Sequence, residues 1–163
     1  MIVYYRGTGF LSRNRVRIVK GSSMAMVKSV KGLSFAGLTD SGKWIMMDTK
    51  KEAGGIAEGP TPMELVLLSL MACSGMDVVS ILEKKKFKIS SFEMSEIHER
   101  AETYPKVYTK IHMTYKVDGE GIDPEAVKKA VSLSIEKYCS VHAMLKGSVD
   151  ITYGIEVNGF KID

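Results

Sequence analysis

Two short apolar runs near the start of the chain predict a β-hairpin. Residues 33–38 and 43–47 read as strands, and the turn residues Thr39-Asp-Ser-Gly42 separate them. An Asp and a Gly suit a tight connection between antiparallel strands. The stretch 50–59 contains three glycines and few large apolar residues, which predicts a surface loop.

Three neighbouring signals predict that a helix begins near residue 62. Thr61 suits the N-cap, Pro62 suits the first helical position, and Glu64 completes a capping box. Residues 65–82 are then apolar on nearly every face. A helix of this kind in a soluble protein lies at the centre of the fold, so we expect its faces to be buried.

The same helix is not expected to cross a membrane. Its uncharged run stops at Asp77, which makes it shorter than the roughly 20 apolar residues that a span requires. Cys73 lies within this run, and we therefore expect it to be inside the protein.

The second half of the chain predicts strands around another helix. An irregular strand over 88–101 is followed by a turn at Tyr104-Pro105, and Asp123 caps a helix with an apolar stripe. The alternation over 149–157 predicts a last strand. This order predicts an α+β fold. Between these elements lies a half-buried antiparallel strand, whose predicted inward positions are Val107, Thr109, Ile111, Met113, Tyr115 and Val117.

Charge divides the chain into two parts. The formal net charge is +4, but residues 1–23 hold five basic residues and no acidic one, so the rest is close to neutral. A nearly neutral body lacks the electrostatic footprint of a nucleic-acid-binding protein. We predict a basic extension over 1–23, which is either disordered or a start assigned too early, and one domain over 24–163.

The two cysteines, Cys73 and Cys139, are the main candidates for chemistry. Two cysteines so far apart do not form a secreted disulfide framework, which favours a reducing cytoplasmic location. Isolated cysteines are commonly inert core residues. If these two meet, however, one thiolate can be oxidised to a sulfenic acid and the other can condense with it. That chemistry requires a nearby cation to favour the thiolate.

Two polar residues lie close to the cysteines in sequence. Asp77 follows Cys73 by one helical turn, where a carboxylate opposes thiolate formation, and a structural hydrogen bond is its simpler role. Cys139 and His142 form a C-x-x-H pair, but four ligands with zinc spacing are missing, so no metal is expected. No nucleotide-binding or hydrolase motif is present, and no cofactor is predicted.

Two motifs resemble the OsmC/Ohr family of osmotically inducible and organic-hydroperoxide-resistance proteins. The first joins residues 59–67 to Ala72-Cys-Ser-Gly-Met-Asp-Val-Val-Ser-Ile-Leu82, and the second is Glu136-Lys-Tyr-Cys-Ser-Val141. With Pro105-Lys-Val-Tyr108, the resemblance covers about residues 26 to 157. The motifs look closest to a branch of the family whose physiological substrate is unsettled.

The resemblance implies an intertwined homodimer with two long central helices packed against antiparallel β-sheet. Cys73 matches the family's peroxide-attacking cysteine, and Cys139 matches its resolving cysteine. The implied activity is reduction of organic hydroperoxides, or of hydrogen peroxide in some members. The implied electron donor is a dithiol such as a lipoylated protein.

Two departures from the family pattern concern activation of the thiol. The position of the family's catalytic glutamate is occupied by Met63, and the adjacent Glu64 points elsewhere because one residue turns a helix by about 100°. The family's arginine has no match in the loop over 50–59, and Arg100 lies on a different segment.

Three functions remain open from the sequence. The first is a thiol-dependent peroxidase, with a small hydroperoxide as substrate and neither nucleic acid nor membrane as partner. The second is a non-enzymatic protein that binds a small hydrophobic or thiol-containing ligand, which the loss of the Glu and Arg positions favours. The third is a redox sensor that uses a Cys73–Cys139 disulfide.

Overall fold

The computed structural model describes residues 3–4, 17–18 and 24–162 of the chain. They fall into two compact units, residues 1–62 and residues 63–163. Most of the predicted extension over 1–23 lies outside the described residues. Two short strands within it, β1 (Val3–Tyr4) and β2 (Arg17–Ile18), pair antiparallel.

The first unit contains a three-stranded antiparallel sheet. Its strands are β3 (Met26–Lys31), β4 (Ser34–Leu38) and β5 (Trp44–Met47), in that spatial order. The predicted hairpin is β4–β5, and its turn is closed by hydrogen bonds between Thr39 and Lys43 and between Gly42 and Thr39. The sequence analysis missed β3, whose residues are mostly exposed and lack a clear apolar alternation.

Asp48 organises the loop that follows β5. Its side chain is almost fully buried and accepts hydrogen bonds from the Ser34 hydroxyl at 2.9 Å and from the backbone N–H groups of Thr49, Ile56 and Glu58 at 2.7, 3.2 and 3.1 Å. Burial raises the pKa of the Asp48 carboxyl, but these hydrogen bonds outweigh burial and leave the pKa below its usual range. The predicted loop is thus held by one carboxylate.

We expect Asp48→Ala to lower the urea midpoint of unfolding because three backbone N–H groups lose their acceptor. Since the folded-state pKa is lowered, the stabilisation from Asp48 is present above the unfolded pKa of about 4 and is lost as the pH falls through the folded value. Urea melts at pH 7 and pH 3 measure both effects. Glu52→Ala, in the same loop and exposed, is the control. Equal midpoints for the two variants at pH 7 would contradict this role.

The second unit packs a long helix against a four-stranded sheet. Helix α1 (Pro62–Lys84) begins at the predicted proline. The sheet has the order β6 (Ser91–Arg100), β7 (Tyr108–Asp118), β8 (Asp150–Val157) and β9 (Phe160–Ile162). Its core consists of side chains from these elements and from the segment between β7 and β8, including Leu67, Leu70, Val78, Leu82, Ile111, Met113, Tyr115, Val117, Val127 and Val131.

The sheet differs from the sequence prediction in pairing and in phase. β7 pairs antiparallel with β6 but parallel with β8, so the sheet is mixed. Tyr108 is buried, whereas Val107 is 49% exposed and precedes the strand. Thr109 is also exposed, because an irregularity in the β6–β7 register opposite Glu99 and Arg100 shifts the alternation by one residue. From Ile111 onward the predicted inward face is correct.

The connection from β7 to β8 carries the second cysteine. Helix α2 (Pro124–Leu133) starts at Asp123, whose side chain accepts the Glu125 N–H at 3.1 Å as a predicted cap. A π-helical turn over Ser134–Tyr138 continues it, Cys139 follows, and α3 (Ser140–Leu145) completes the connection. The α-helix and the π turn together span residues 124–138.

Helix α1 is not buried on every face of this chain, contrary to the sequence prediction. Leu68 and Met76 are 52% and 73% exposed, and Cys73 is only half-buried. The helix is long and apolar enough to cross a membrane. The sequence prediction differs because it counts only the uncharged run that ends at Asp77. A core helix of a soluble protein satisfies the same criterion, so this is weak evidence for a span.

Candidate thiol site

The two cysteines lie next to each other in the second unit. Cys73 lies on α1, Cys139 lies between the π turn and α3, and the two thiols are close enough for Cys73 to raise the pKa of the Cys139 thiol. Both are free thiols, and they differ in exposure, since Cys73 is half-buried whereas Cys139 is 2% exposed. The structure therefore brings together the pair that the sequence analysis selected.

The environment of Cys139 favours its protonated form. Burial is the main cause and raises the pKa of the Cys139 thiol to about 11. The backbone N–H of His142, which donates to Cys139 Sγ at 3.4 Å, acts in the opposite direction. The hydrogen bond and charge of Cys73 and the charge of Asp77 raise the pKa further. These groups include an anion and no cation.

A chain of buried hydroxyl groups leads to Asp77 beside the thiols. Tyr115 Oη lies 2.6 Å from Ser74 Oγ, Ser74 Oγ lies 2.9 Å from Ser134 Oγ, and Ser134 Oγ donates to Asp77 Oδ2 at 3.0 Å. Tyr115, Ser74 and Ser134 are fully buried. Helix α1, strand β7 and the π turn each contribute to this chain, so it links the three elements around the cysteines.

The acceptor at the end of the chain fixes the direction of the donors behind it, because Ser134 Oγ donates to Asp77 Oδ2. A carboxylate accepts hydrogen bonds only, so the single Ser134 hydroxyl proton points to Asp77. Ser74 must then donate to Ser134, and Tyr115 must donate to Ser74. The result is a buried chain in which each hydroxyl donates once, which satisfies its members.

Tyr115 is held as a neutral phenol at the far end of this chain. Burial is the main cause that raises the pKa of the Tyr115 hydroxyl. The Ser74 hydrogen bond opposes burial, whereas the charges of Cys139, Tyr153 and Asp77 reinforce it. The Tyr115 ring also contacts the Tyr153 ring edge to face, with 6.1 Å between centroids.

His142, the second member of the C-x-x-H pair, is buried in the segment that follows Cys139. Its side chain is 7% exposed, and within the described part of the chain its Nδ1 atom has no hydrogen-bond partner. Burial lowers the pKa of the imidazole, a backbone hydrogen bond with Ile135 raises it, and Lys146 lowers it. No group of three His, Cys, Asp or Glu side chains suited to a metal ion occurs in residues 24–162.

The remaining predicted site residues lie near the start of α1, away from Cys73. Met63 precedes Cys73 by ten residues, about 15 Å along a helix, and its carbonyl accepts the Tyr108 hydroxyl at 2.9 Å. The Arg100 guanidinium donates to the Lys106 carbonyl at 2.9 and 2.6 Å and lies over the Tyr108 ring. Burial raises the pKa of Tyr108, Arg100 lowers it, and Glu64 is among the groups that raise it.

A surface cleft of about 520 Å³ lies apart from the cysteines. Neither thiol lines it, although Tyr153, the neighbour of Tyr115, does. Its other lining residues come from β7, α2, β8 and β9 and are mostly polar: His112, Thr114, Lys128, Ser132, Gly154, Ile155, Glu156, Lys161 and Ile162.

Sequence reasoning did not identify Ser74, Ser134 or Tyr115 as site residues. A signal for them was present, because each puts a hydroxyl at a position that the apolar pattern predicts to be buried. Buried hydroxyls require partners, so such positions indicate an internal polar network. The partners themselves are 41 and 60 positions apart and follow only from the fold.

The fold and the thiol pair define an α+β protein with two neighbouring free cysteines, one on its long helix and one in the connection between β7 and β8. The chain belongs to the OsmC-like protein family, whose model matches residues 54–154. It is 42% identical over 133 residues to protein YhfA of Escherichia coli, which spans 82% of this chain and 96% of that protein.

Solved structures share this fold. A protein from Aquifex aeolicus is 34% identical, with a TM-score of 0.74 over 84% of this chain and 96% of its own. An organic hydroperoxide resistance protein OsmC from Legionella pneumophila is 16% identical, with a TM-score of 0.62 over 86% of this chain and 100% of its own. The latter likeness concerns the fold alone.

We expect Tyr115→Phe to destabilise the second unit by about 1 to 3 kcal/mol, because the buried hydroxyl of Ser74 loses its donor. Urea unfolding followed by circular dichroism measures the change. Tyr153→Phe is the control, because that side chain is 39% exposed. An unchanged midpoint for Tyr115→Phe would show that the hydroxyl chain contributes nothing to stability.

Proposed function

We propose that this protein is a homodimeric, cytoplasmic, thiol-dependent peroxidase that reduces organic hydroperoxides. The Cys73 thiolate attacks the hydroperoxide, so that an S–O bond forms and the O–O bond breaks. The leaving alkoxide oxygen takes a proton and departs as the alcohol. The Cys139 thiol then condenses with the sulfenic acid, which forms the disulfide and releases water. A dithiol, such as a lipoylated protein, reduces the disulfide and restores both thiols.

The observation that carries this proposal is the contact between two free thiols of unequal exposure. Cys73 is accessible enough to meet a small oxidant, whereas Cys139 is buried close to it. This asymmetry suits a first thiol that reacts with substrate and a second that reacts only with the first. Hydrogen peroxide is the second substrate to test.

The exposed face of α1 supports the dimer. Leu68, Ala72 and Met76 recur every four residues, lie on one helical face and are exposed, next to the half-buried Cys73. An apolar stripe on a core-like helix requires a cover, and a second copy of α1 supplies one of matching composition. In the dimer the thiol pair then lies near the subunit interface, where an apolar hydroperoxide fits.

A binding role is the second candidate. The charged group that acts on Cys139 is the Asp77 carboxylate, and Arg100 is engaged with Lys106 and Tyr108. A thiol without a cation is poorly activated, whereas the same apolar face suits a small hydrophobic ligand. A redox sensor would use the same pair, but would be oxidised once without turnover.

We expect the protein to consume cumene hydroperoxide over many turnovers with excess dihydrolipoamide, and to consume hydrogen peroxide more slowly. Cys73→Ser removes the nucleophile and should abolish consumption, whereas Cys139→Ser should allow one equivalent to react and leave a sulfenic acid that dimedone traps. Ser69→Ala, an exposed change on the same helix, is the control. Absence of turnover together with slow thiol oxidation would leave the binding role.

We expect Met76→Glu to weaken the dimer, because it places a charge in the proposed interface from a side chain that is 73% exposed in one chain. Sedimentation velocity over a concentration series should show a dissociation constant raised by at least about tenfold, equivalent to 1.4 kcal/mol. Met144→Glu, equally exposed but on α3, is the matched control. A wild-type protein that sediments as a monomer would refute the interface.

A further inference from the structure

Asp77 is tied to both segments that carry the thiols. It lies four residues after Cys73 on α1, and therefore on the same helical face. Its Oδ2 atom accepts the Ser134 hydroxyl at 3.0 Å, and the Ser134 carbonyl accepts the Cys139 N–H at 2.8 Å. Its charge also acts on the Cys139 thiol. One carboxylate is thus anchored between the two sulfur-bearing segments.

The hydrogen-bond chain holds this carboxylate in place as an acceptor. Ser134 offers it a proton donor, and the donors behind Ser134 can all point in the same direction when Asp77 is the terminal acceptor. A carboxylate is thereby held beside the two thiols, although its charge opposes formation of the Cys139 thiolate.

Closure of the disulfide requires such an acceptor. Cys139 must lose its proton to attack the oxidised sulfur of Cys73, since the thiolate is the nucleophile. With a pKa of about 11, only about one Cys139 thiol in 10,000 is ionised at pH 7. Attack by the rare free thiolate is slow because so little of it is present. If a base removes the thiol proton during the attack, the rate no longer depends on that small population.

We propose that Asp77 accepts the proton of Cys139 as the two sulfurs join, and that the chain from Tyr115 through Ser74 and Ser134 holds its carboxylate in position. The Cys139 sulfur attacks the Cys73 sulfur, the S–S bond forms and the S–O bond of the sulfenic acid breaks. The departing hydroxide takes the proton from Asp77 and leaves as water. The inference relies on the proposed function only for the source of the sulfenic acid.

Few other ionisable groups face this reaction. Cys73 and Asp77 face Cys139 from α1, and His142 faces it from α3 through its backbone N–H. Tyr115 approaches Asp77 from β7 and is held neutral. The buried His142 imidazole is the rival acceptor, but its charge is not among the groups that act on Cys139, whereas the charge of Asp77 is.

The first test measures protonation of Cys139 without any oxidant. In a Cys73→Ser background, the rate of iodoacetamide alkylation of Cys139 is followed from pH 7 to pH 11, with and without Asp77→Asn. Loss of the carboxylate charge should move the profile to lower pH by about half a unit or more. Glu83→Gln, an exposed carboxylate at the end of the same helix, should not move it. Coincident profiles for Asp77→Asn and its parent would overturn the proposal.

The second test measures closure alone. Dithiobis(nitrobenzoate) converts Cys73 to a mixed disulfide, and attack by Cys139 then releases thionitrobenzoate, whose absorbance is followed by stopped flow. Asp77→Asn should slow this release at least about tenfold at pH 7, although the thiol ionises more readily. Alkylation of Cys139 then becomes faster in Asp77→Asn, while release of thionitrobenzoate becomes slower. A purely electrostatic or packing role moves closure in the same direction as alkylation, which would overturn the proposal.

Further variants separate a specific effect from a folding defect. Asp77→Glu keeps the carboxylate and should restore part of the closure rate, while Ser134→Ala should slow closure with the carboxylate still present. A slow closure in His142→Gln with an unchanged rate in Asp77→Asn would assign the proton to the imidazole and overturn the proposal. Because closure starts from a disulfide reagent, failure of the peroxidase assay leaves these outcomes interpretable.

Discussion

The hydrogen bond between the hydroxyls of Ser74 and Ser134 holds together the two segments on which the candidate site depends. It joins α1, one residue beyond Cys73, to the π turn that leads to Cys139. Packing is tight beside it at Gly75, where a Cβ atom would lie 3.0 Å from the Phe92 ring and 3.2 Å from the Met94 sulfur. Small residues in the middle of α1 therefore serve both sheet packing and thiol pairing.

The elements predicted correctly are those specified by local residues. The start of α1 follows from the proline at its first position, and the β4–β5 turn follows from its Asp and Gly. Features that depend on distant partners were not accessible in this way. The register between strands sets two such features. One is the parallel β7–β8 pairing, and the other is the phase shift that buries Tyr108 in place of its neighbours.

In the candidate site, too, the residues specified by local motifs were predicted and the contacts between distant residues were not. The sequence motifs select Cys73 and Cys139, and the structure places these two residues in contact. The hydroxyl chain could only be recognised as a set of polar residues at buried positions, because a single sequence contains no information about which hydroxyl meets which. Asp77 accepts the Ser134 hydroxyl, a partner 57 positions away that the sequence does not indicate.

Met63 and Arg100, the two residues considered where the chain departs from the family pattern, both contact Tyr108. At the start of α1 the Met63 carbonyl accepts the Tyr108 hydroxyl, while Arg100 stacks over the same ring and binds the Lys106 carbonyl. These groups support the junction between α1 and β7, and their hydrogen bonds are already made. The polar group that remains beside the thiols is Asp77, supported from β7 and the π turn. The charge of Asp77 opposes ionisation of the Cys139 thiol, so a supporting role for this carboxylate depends on its position between the two thiol-bearing segments.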